Sequence, residues 1–167
     1  MRVLVTAASK HGSTGEIAGR ITERLRESSI DVDYRPPSDV TRVDGYDAVV
    51  LGSAVYAGHW LPAARDLVTA FAGDLARRPV FLFSSGPVGD PPKPAEDPVD
   101  VAAIVAATRA REHRVFAGRL ERRRLGFAEK AIVVALRVPD GDYRDWSAVD
   151  AWASSIVDSI AIRDLRP

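Results

Sequence analysis

Short apolar runs alternate with longer stretches of helical periodicity along almost the whole chain, and this alternation limits the fold more than any other feature. Residues 3–7 form an apolar run of the kind found in a strand buried on both faces. Residues 14–28 follow, with Ile17, Ala18, Ile21 and Leu25 at helical spacing. Ser13 and Glu16 have the spacing of a capping box, which predicts that this helix starts directly after Ser13. Further strands are predicted at 31–35, 47–53, 79–84 and 113–117, and further helices at 61–73, 99–111 and 147–162. Pro62 stands where a first helical turn tolerates proline. Residues 86–98 hold five of the 11 prolines and are expected to be a long loop. No repeat or linker divides the chain, so a single domain over 1–167 is expected, with an extra segment near 119–146.

Five strands in this rhythm, joined by right-handed crossovers, suit a three-layer α/β sandwich around a parallel sheet of order 2-1-3-4-5. That order places a ligand crevice at the carboxyl ends of strands one and three. Composition removes several alternatives. Lys plus Arg and Asp plus Glu balance at 23 each, so no overall field favours nucleic acid or an anionic membrane as partner. The absence of cysteine excludes disulfides, thiolate metal sites, iron–sulfur clusters and thiol catalysis. It fits a reducing cytosol, and a cytoplasmic location is expected. The first apolar run is too short for the core of a signal peptide, and no stretch approaches the ~20 apolar residues of a spanning helix.

Three loops converge on the expected crevice. The first, Ser9, Lys10, His11, Gly12, Ser13 and Thr14, runs straight into a helix. A helix N-terminus offers unpaired N–H groups and a partial positive charge, both of which favour a phosphate. The same residues would equally serve a turn that caps its own helix. The dinucleotide fingerprint and the P-loop pattern are both absent, and Ala7, Ala8, Gly52 and Ser53 stand where a phospho-receiver domain needs carboxylates. The second loop, Ser53, Ala54, Val55, Tyr56, Ala57, Gly58, His59 and Trp60, sets two aromatics among small residues that can flank a flat ring. Packing in the core is the plainer role for either aromatic alone. The third loop, Ser84, Ser85, Gly86, Pro87, Val88 and Gly89, offers N–H groups and hydroxyls to the polar edge of such a ring.

On these residues the chain resembles the flavodoxins. The stretches 9–18, 52–60, 115–120 and 145–153 resemble more closely the flavodoxin-domain family that includes bacterial menaquinone-dependent protoporphyrinogen oxidases. The resemblance implies FMN as cofactor. The first loop would surround its phosphate, the second and third would border the ring, and Phe116, Ala117 and Gly118 would close the ribityl or substrate side. Flavodoxins often carry a hydroxyl where His11 stands. The implied activity is oxidation of a protoporphyrinogen or similar substrate, with a quinone or a redox protein as partner. The chemistry would lie at the flavin N5, so no side chain is assigned a catalytic role, and the scattered His11, His59 and His113 offer no metal site. Two other readings remain: an electron carrier, although carriers are usually acidic and this chain is neutral, and a flavodoxin-fold protein that binds a deazaflavin or no flavin. In the 119–146 insert, Arg119, Arg122, Arg123 and Arg124 precede the apolar run 131–136. An ordinary helix or strand extension packed on the sheet is favoured there over peripheral membrane contact through 119–138.

Overall fold

A computed structural model describes residues 1–91 and 93–164. Pro92, one of the five loop prolines, and residues 165–167 of the expected domain lie outside the described residues. Strands β1 (Arg2–Ala8), β2 (Asp31–Tyr34) and β3 (Ala48–Tyr56) are followed by β4 (His59–Trp60), β5 (Val80–Ser85), β6 (Glu112–Phe116), β7 (Arg119–Leu120) and β8 (Gly141–Asp142). Helices α1 (Ser13–Glu27), α2 (Pro62–Leu75), α3 (Val101–Thr108), α4 (Phe127–Leu136) and α5 (Trp146–Asp164) alternate with them. The parallel strands lie in the order β2-β1-β3-β5-β6, which is 2-1-3-4-5 when these five alone are numbered. The expected sheet is the observed one.

Successive side chains of a strand point to opposite faces, and this divides the core in two. Val3 and Val5 pack with Ile17, Ile21, Leu25, Trp152 and Ile156 beneath α1 and α5. Leu4, Val49 and Leu51 pack with Trp60, Leu67, Leu75 and Ile104 beneath α2 and α3. The expected elements are all present, with shifted ends. The third strand runs on to Tyr56 because an antiparallel hairpin, not an open loop, follows it: Val55 pairs with Trp60 and Tyr56 with His59. Ala57 (φ 49°) and Gly58 (φ 79°) form the turn, and two positive φ values in succession suit the right-handed twist of a hairpin. Helix α3 is shorter than its periodicity suggested, because Arg109 takes the left-handed conformation and ends it.

The insert holds β7, β8 and α4. Strands β7 and β8 pair with each other. Val133 of α4 packs with Val88, Leu120 and Val138 in a third, small cluster, separate from the two sheet faces. The expected packing of the apolar run on the sheet is therefore corrected: ten helical residues with one inward stripe close on the neighbouring loops instead, leaving Phe127, Ile132 and Val134 exposed. Among the described residues, no helix is long and apolar enough to cross a membrane.

Helices α1 and α5 are joined by charge as well as by apolar packing. Asp150 accepts hydrogen bonds from Arg20 Nε (2.7 Å) and Nη2 (2.8 Å) and from Arg24 Nη2 (2.6 Å). Arg24, then Arg20, hold its carboxyl well below the usual carboxylate range. In the unfolded chain it titrates near its ordinary value, so between the two values the unfolded state binds the extra proton. The stabilisation is therefore complete above about pH 4 and is lost as the pH falls further. Asp150→Asn should lower stability at pH 7 and make its decline below pH 4 shallower, as read from urea midpoints across pH. Parallel pH profiles for the two proteins would rule this out.

Candidate functional site

The carboxyl ends of β1, β3 and β5 open onto a cavity of about 360 Å3, within the ~300–1,000 Å3 range of small-molecule sites. Its first wall is the turn leaving β1. Gly12 sits at φ +91°, a conformation that L side chains rarely adopt, and its N–H donates to Ser9 Oγ at 3.1 Å. The first helical hydrogen bond of α1 runs from Glu16 N–H to the Gly12 carbonyl (2.9 Å). The amides of Ser13, Thr14 and Gly15 precede it and have no helical carbonyl to donate to. Thr14 is nearly fully buried and lines the cavity together with Ser9.

The expected capping box is absent. The Ser13 hydroxyl accepts the Arg119 N–H at 3.1 Å instead. The Glu16 carboxylate pairs with Arg144 (2.6 Å) and Arg119 (2.9 Å), and the Arg144 hydrogen bond is the main cause that lowers its pKa. Two guanidinium groups delivered by the insert and by the segment before α5 outcompete a single local N–H for that carboxylate.

The hairpin supplies the second wall through Ala54, Val55, Tyr56, Ala57 and Gly58. Burial, and then the charge of Glu129, pushes the Tyr56 phenol up to about 12. Lys10 Nζ lies 5.0 Å from the centre of the Tyr56 ring, and His11 meets the same ring edge-on at 6.1 Å. The third wall is Ser84, Ser85, Gly86, Pro87 and Val88. It is tied to the end of β6, where Gly86 N–H donates to the Phe116 carbonyl (3.3 Å) and Gly118 N–H to the Pro87 carbonyl (2.8 Å). The insert forms a fourth wall with Leu120, Arg124, Leu125, Glu129, Ile132 and Val133.

The three loops thus meet around one cavity, and Gly118 joins them. Seven of the residues singled out from sequence stand off its walls. Gly12 shapes the first turn without lining the cavity. Ser53 is buried; its hydroxyl donates to the Ala54 carbonyl (2.8 Å) and accepts the Leu61 N–H (2.9 Å). Trp60 is 1% exposed and belongs to the α2–α3 core. Its indole Nε1–H donates to Ser84 Oγ at 2.8 Å. Alternation along β4 turns His59 the other way, to the surface, where its Nδ1 lies 2.8 Å from Asp100 Oδ1. Phe116 packs against Phe83 and Trp152 in the α1–α5 core. Gly89 (φ +92°) turns beside Val138, and Ala117 lies between Phe116 and Gly118 off the cavity wall.

Sequence reasoning missed Glu129. Its carboxylate lies 2.8 Å from Lys10 Nζ and 3.1 and 3.3 Å from His11 Nε2, and it accepts the Gly126 N–H at 2.7 Å. Burial raises its pKa, but the hydrogen bonds from Lys10, Gly126 and His11 prevail and hold it at about 2. The available signal was local: a Glu three residues after Gly126 suits the first turn of a helix, and says nothing of a partner more than a hundred residues away. Among the described residues, no three His, Asp or Glu side chains stand close enough to hold a metal ion.

Comparison with known proteins agrees with this architecture. A family model described as "Flavodoxin domain" matches residues 4–147. The protoporphyrinogen IX dehydrogenase [quinone] of Escherichia coli strain K12 is 29% identical over 98 residues, which cover 56% of this chain and 52% of that protein. The chain therefore spans about half the length of the curated relatives it matches. Among solved structures, a flavodoxin from the domain Archaea superposes with a TM-score of 0.66 at 14% identity, covering 96% of this chain and 99% of that one. Flavodoxin 1 from Bacillus cereus gives 0.62 at 16%, covering 95% and 98%. Rubredoxin oxygen:oxidoreductase from Desulfovibrio gigas gives 0.69 at 14%, covering 99% of this chain and 37% of that one. With a sheet of this order, a ligand-sized cavity at its switch point and a family match over most of its length, the chain belongs to the flavodoxin domain family.

Proposed function

We propose that this chain is an FMN-dependent oxidoreductase whose cofactor lies in the cavity between the β1 turn, the β3–β4 hairpin and the loop after β5. One observation carries the reading: Ser13 and Thr14, in the first turn of α1 ahead of its first helical hydrogen bond, line one end of a cavity whose other walls include the small and apolar residues Ala54, Val55, Ala57, Gly86 and Val88. A phosphate suits the amides of such a turn, and a flat heterocycle suits such a cavity. In this reading Ser9, Lys10, His11, Ser13 and Thr14 surround the phosphate. Ala54 to Gly58 and Ser84 to Val88 border the ring, and Gly118 closes the ribityl side. We read the chain as one domain that carries the insert as its fourth wall.

When bound, the flavin supplies electron-pair or hydride chemistry at N5. The chain contributes binding, orientation and exclusion of water. Leu125, Ile132 and Val133 give the insert's wall an apolar part beside the charged Arg124 and Glu129; the apolar part suits a hydrophobic reductant, and the name of the Escherichia coli relative points to a protoporphyrinogen with a quinone as acceptor. The balance of acidic and basic residues favours this over a carrier that docks by charge.

Titration with FMN, followed by quenching of its fluorescence, tests the cofactor site. Thr14→Ala should weaken FMN by about 1 kcal/mol, the worth of one hydrogen bond, and leave riboflavin binding unchanged. Equal FMN affinity in the two proteins would remove Thr14 from the phosphate site. Failure of the wild-type chain to take up FMN would end the reading. Anaerobic oxidation of protoporphyrinogen by the FMN-loaded protein with an added quinone tests the substrate.

A further inference from the structure

The two basic side chains of the β1 turn, Lys10 and His11, are already engaged by a carboxylate. Glu129 reaches from the first turn of α4 to Lys10 Nζ (2.8 Å) and His11 Nε2 (3.1 Å), and only 14% of its side chain is exposed. The insert's other nearby cations are also occupied: Arg119 by Glu16 and Glu121, and Arg124 by Glu121. Arg124 Nη1 further donates to the His11 carbonyl at 3.2 Å. A phosphate drawn to the amides of Ser13 and Thr14 therefore meets no unshared side-chain cation among these residues, and it meets Glu129 as a like charge. Glu129 lines the same cavity as Ser13 and Thr14, and like charges within one partly buried cavity repel with incomplete screening by solvent.

We infer that Glu129 is a specificity-determining residue that competes with the cofactor's phosphate for Lys10 and His11, and so sets how strongly the site prefers a phosphorylated flavin over an unphosphorylated one. This rests on the cofactor reading above. The position permits a clean test, because Glu129 also accepts the Gly126 N–H that opens α4 (2.7 Å). Glutamine at this position of a capping box keeps that acceptor. Glu129→Gln therefore removes the charge and preserves the cap of the helix.

Kd values for FMN and riboflavin, measured by fluorescence quenching at low salt on both proteins, give the result. Glu129→Gln should tighten FMN roughly tenfold, a gain that shrinks as salt is added, with riboflavin unchanged. Equal tightening of both ligands would show that Glu129 acts by holding the insert shut, and would overturn the inference. Weaker FMN binding would also overturn it, since Glu129 would then be positioning Lys10 and His11 for the phosphate. If neither protein binds either flavin, the cofactor reading has failed, and inorganic phosphate still decides the inference. Phosphate should raise the thermal midpoint more in Glu129→Gln than in the wild type, and equal shifts would overturn it.

Discussion

Gly52→Ala should destabilise the protein by about 3 kcal/mol, the upper end for an overpacked core, although it adds a single methyl group. A Cβ at this position would lie 2.1 Å from Phe83 Cζ and 2.2 and 2.6 Å from its two Cε atoms. Gly52 and Phe83 are direct partners in the β3–β5 register, so the contact is built into the sheet. Phe83 is fully buried and has nowhere to turn. Its ring meets Phe116 at 6.1 Å and Trp152 at 6.0 Å between centroids. The ring fills the space above a residue without a side chain, and close-packed interiors do not absorb an added methylene without moving their neighbours. Urea denaturation followed by circular dichroism measures the loss. Phe83→Leu removes the colliding ring atoms and leaves a void of its own, so the double variant should be more stable than the sum of the two single losses predicts. Additive losses, or a Gly52→Ala midpoint near that of the wild type, would show that the sheet opens to accept the methyl.

Ser84→Ala should lower stability by about 2 kcal/mol, the typical cost of stranding a buried polar group. The Ser84 hydroxyl is fully buried at the cavity floor and joins two elements. It accepts the Trp60 indole N–H at 2.8 Å and lies 2.8 Å from His113 Nε2. Burial lowers the pKa of His113, against the opposing charge of Asp97, and so favours the neutral ring. A neutral imidazole with its proton on Nδ1 accepts the Ser84 O–H, which completes a chain from Trp60 through Ser84 to His113. Alanine leaves the indole N–H without a partner inside the α2–α3 core. Trp60→Phe on the Ser84→Ala background should then cost less than Trp60→Phe on the wild type, because the orphaned donor is gone. Urea midpoints for the four proteins give this coupling directly. A coupling near zero would mean that water replaces the lost hydroxyl.

Both predictions concern residues that were visible in the sequence with other meanings. Gly52 could be read only as a place without a carboxylate, because the ring that needs its bare Cα comes from a strand about thirty residues later. Trp60 and Tyr56 carry the same local signal, an aromatic beside small residues. The hairpin at Ala57 and Gly58 separates them, setting Tyr56 at the cavity and Trp60 in the core. The first turn shows the same division. Its glycine and hydroxyls are local features, whereas the loss of the capping box depends on Arg119 and Arg144, more than a hundred residues away.

Local sequence by itself determined the order of strands and helices, the parallel sheet and the position of the three loops at its switch point. Each follows from periodicity within a dozen residues and from the fixed handedness of the crossovers. Tertiary structure alone decided which loop side chains face the cavity and which the core, that a bare Cα makes room for Phe83, and that Glu129 answers Lys10 and His11. Those outcomes depend on volumes and charges that distant segments bring together, and nothing in the neighbouring sequence encodes the meeting.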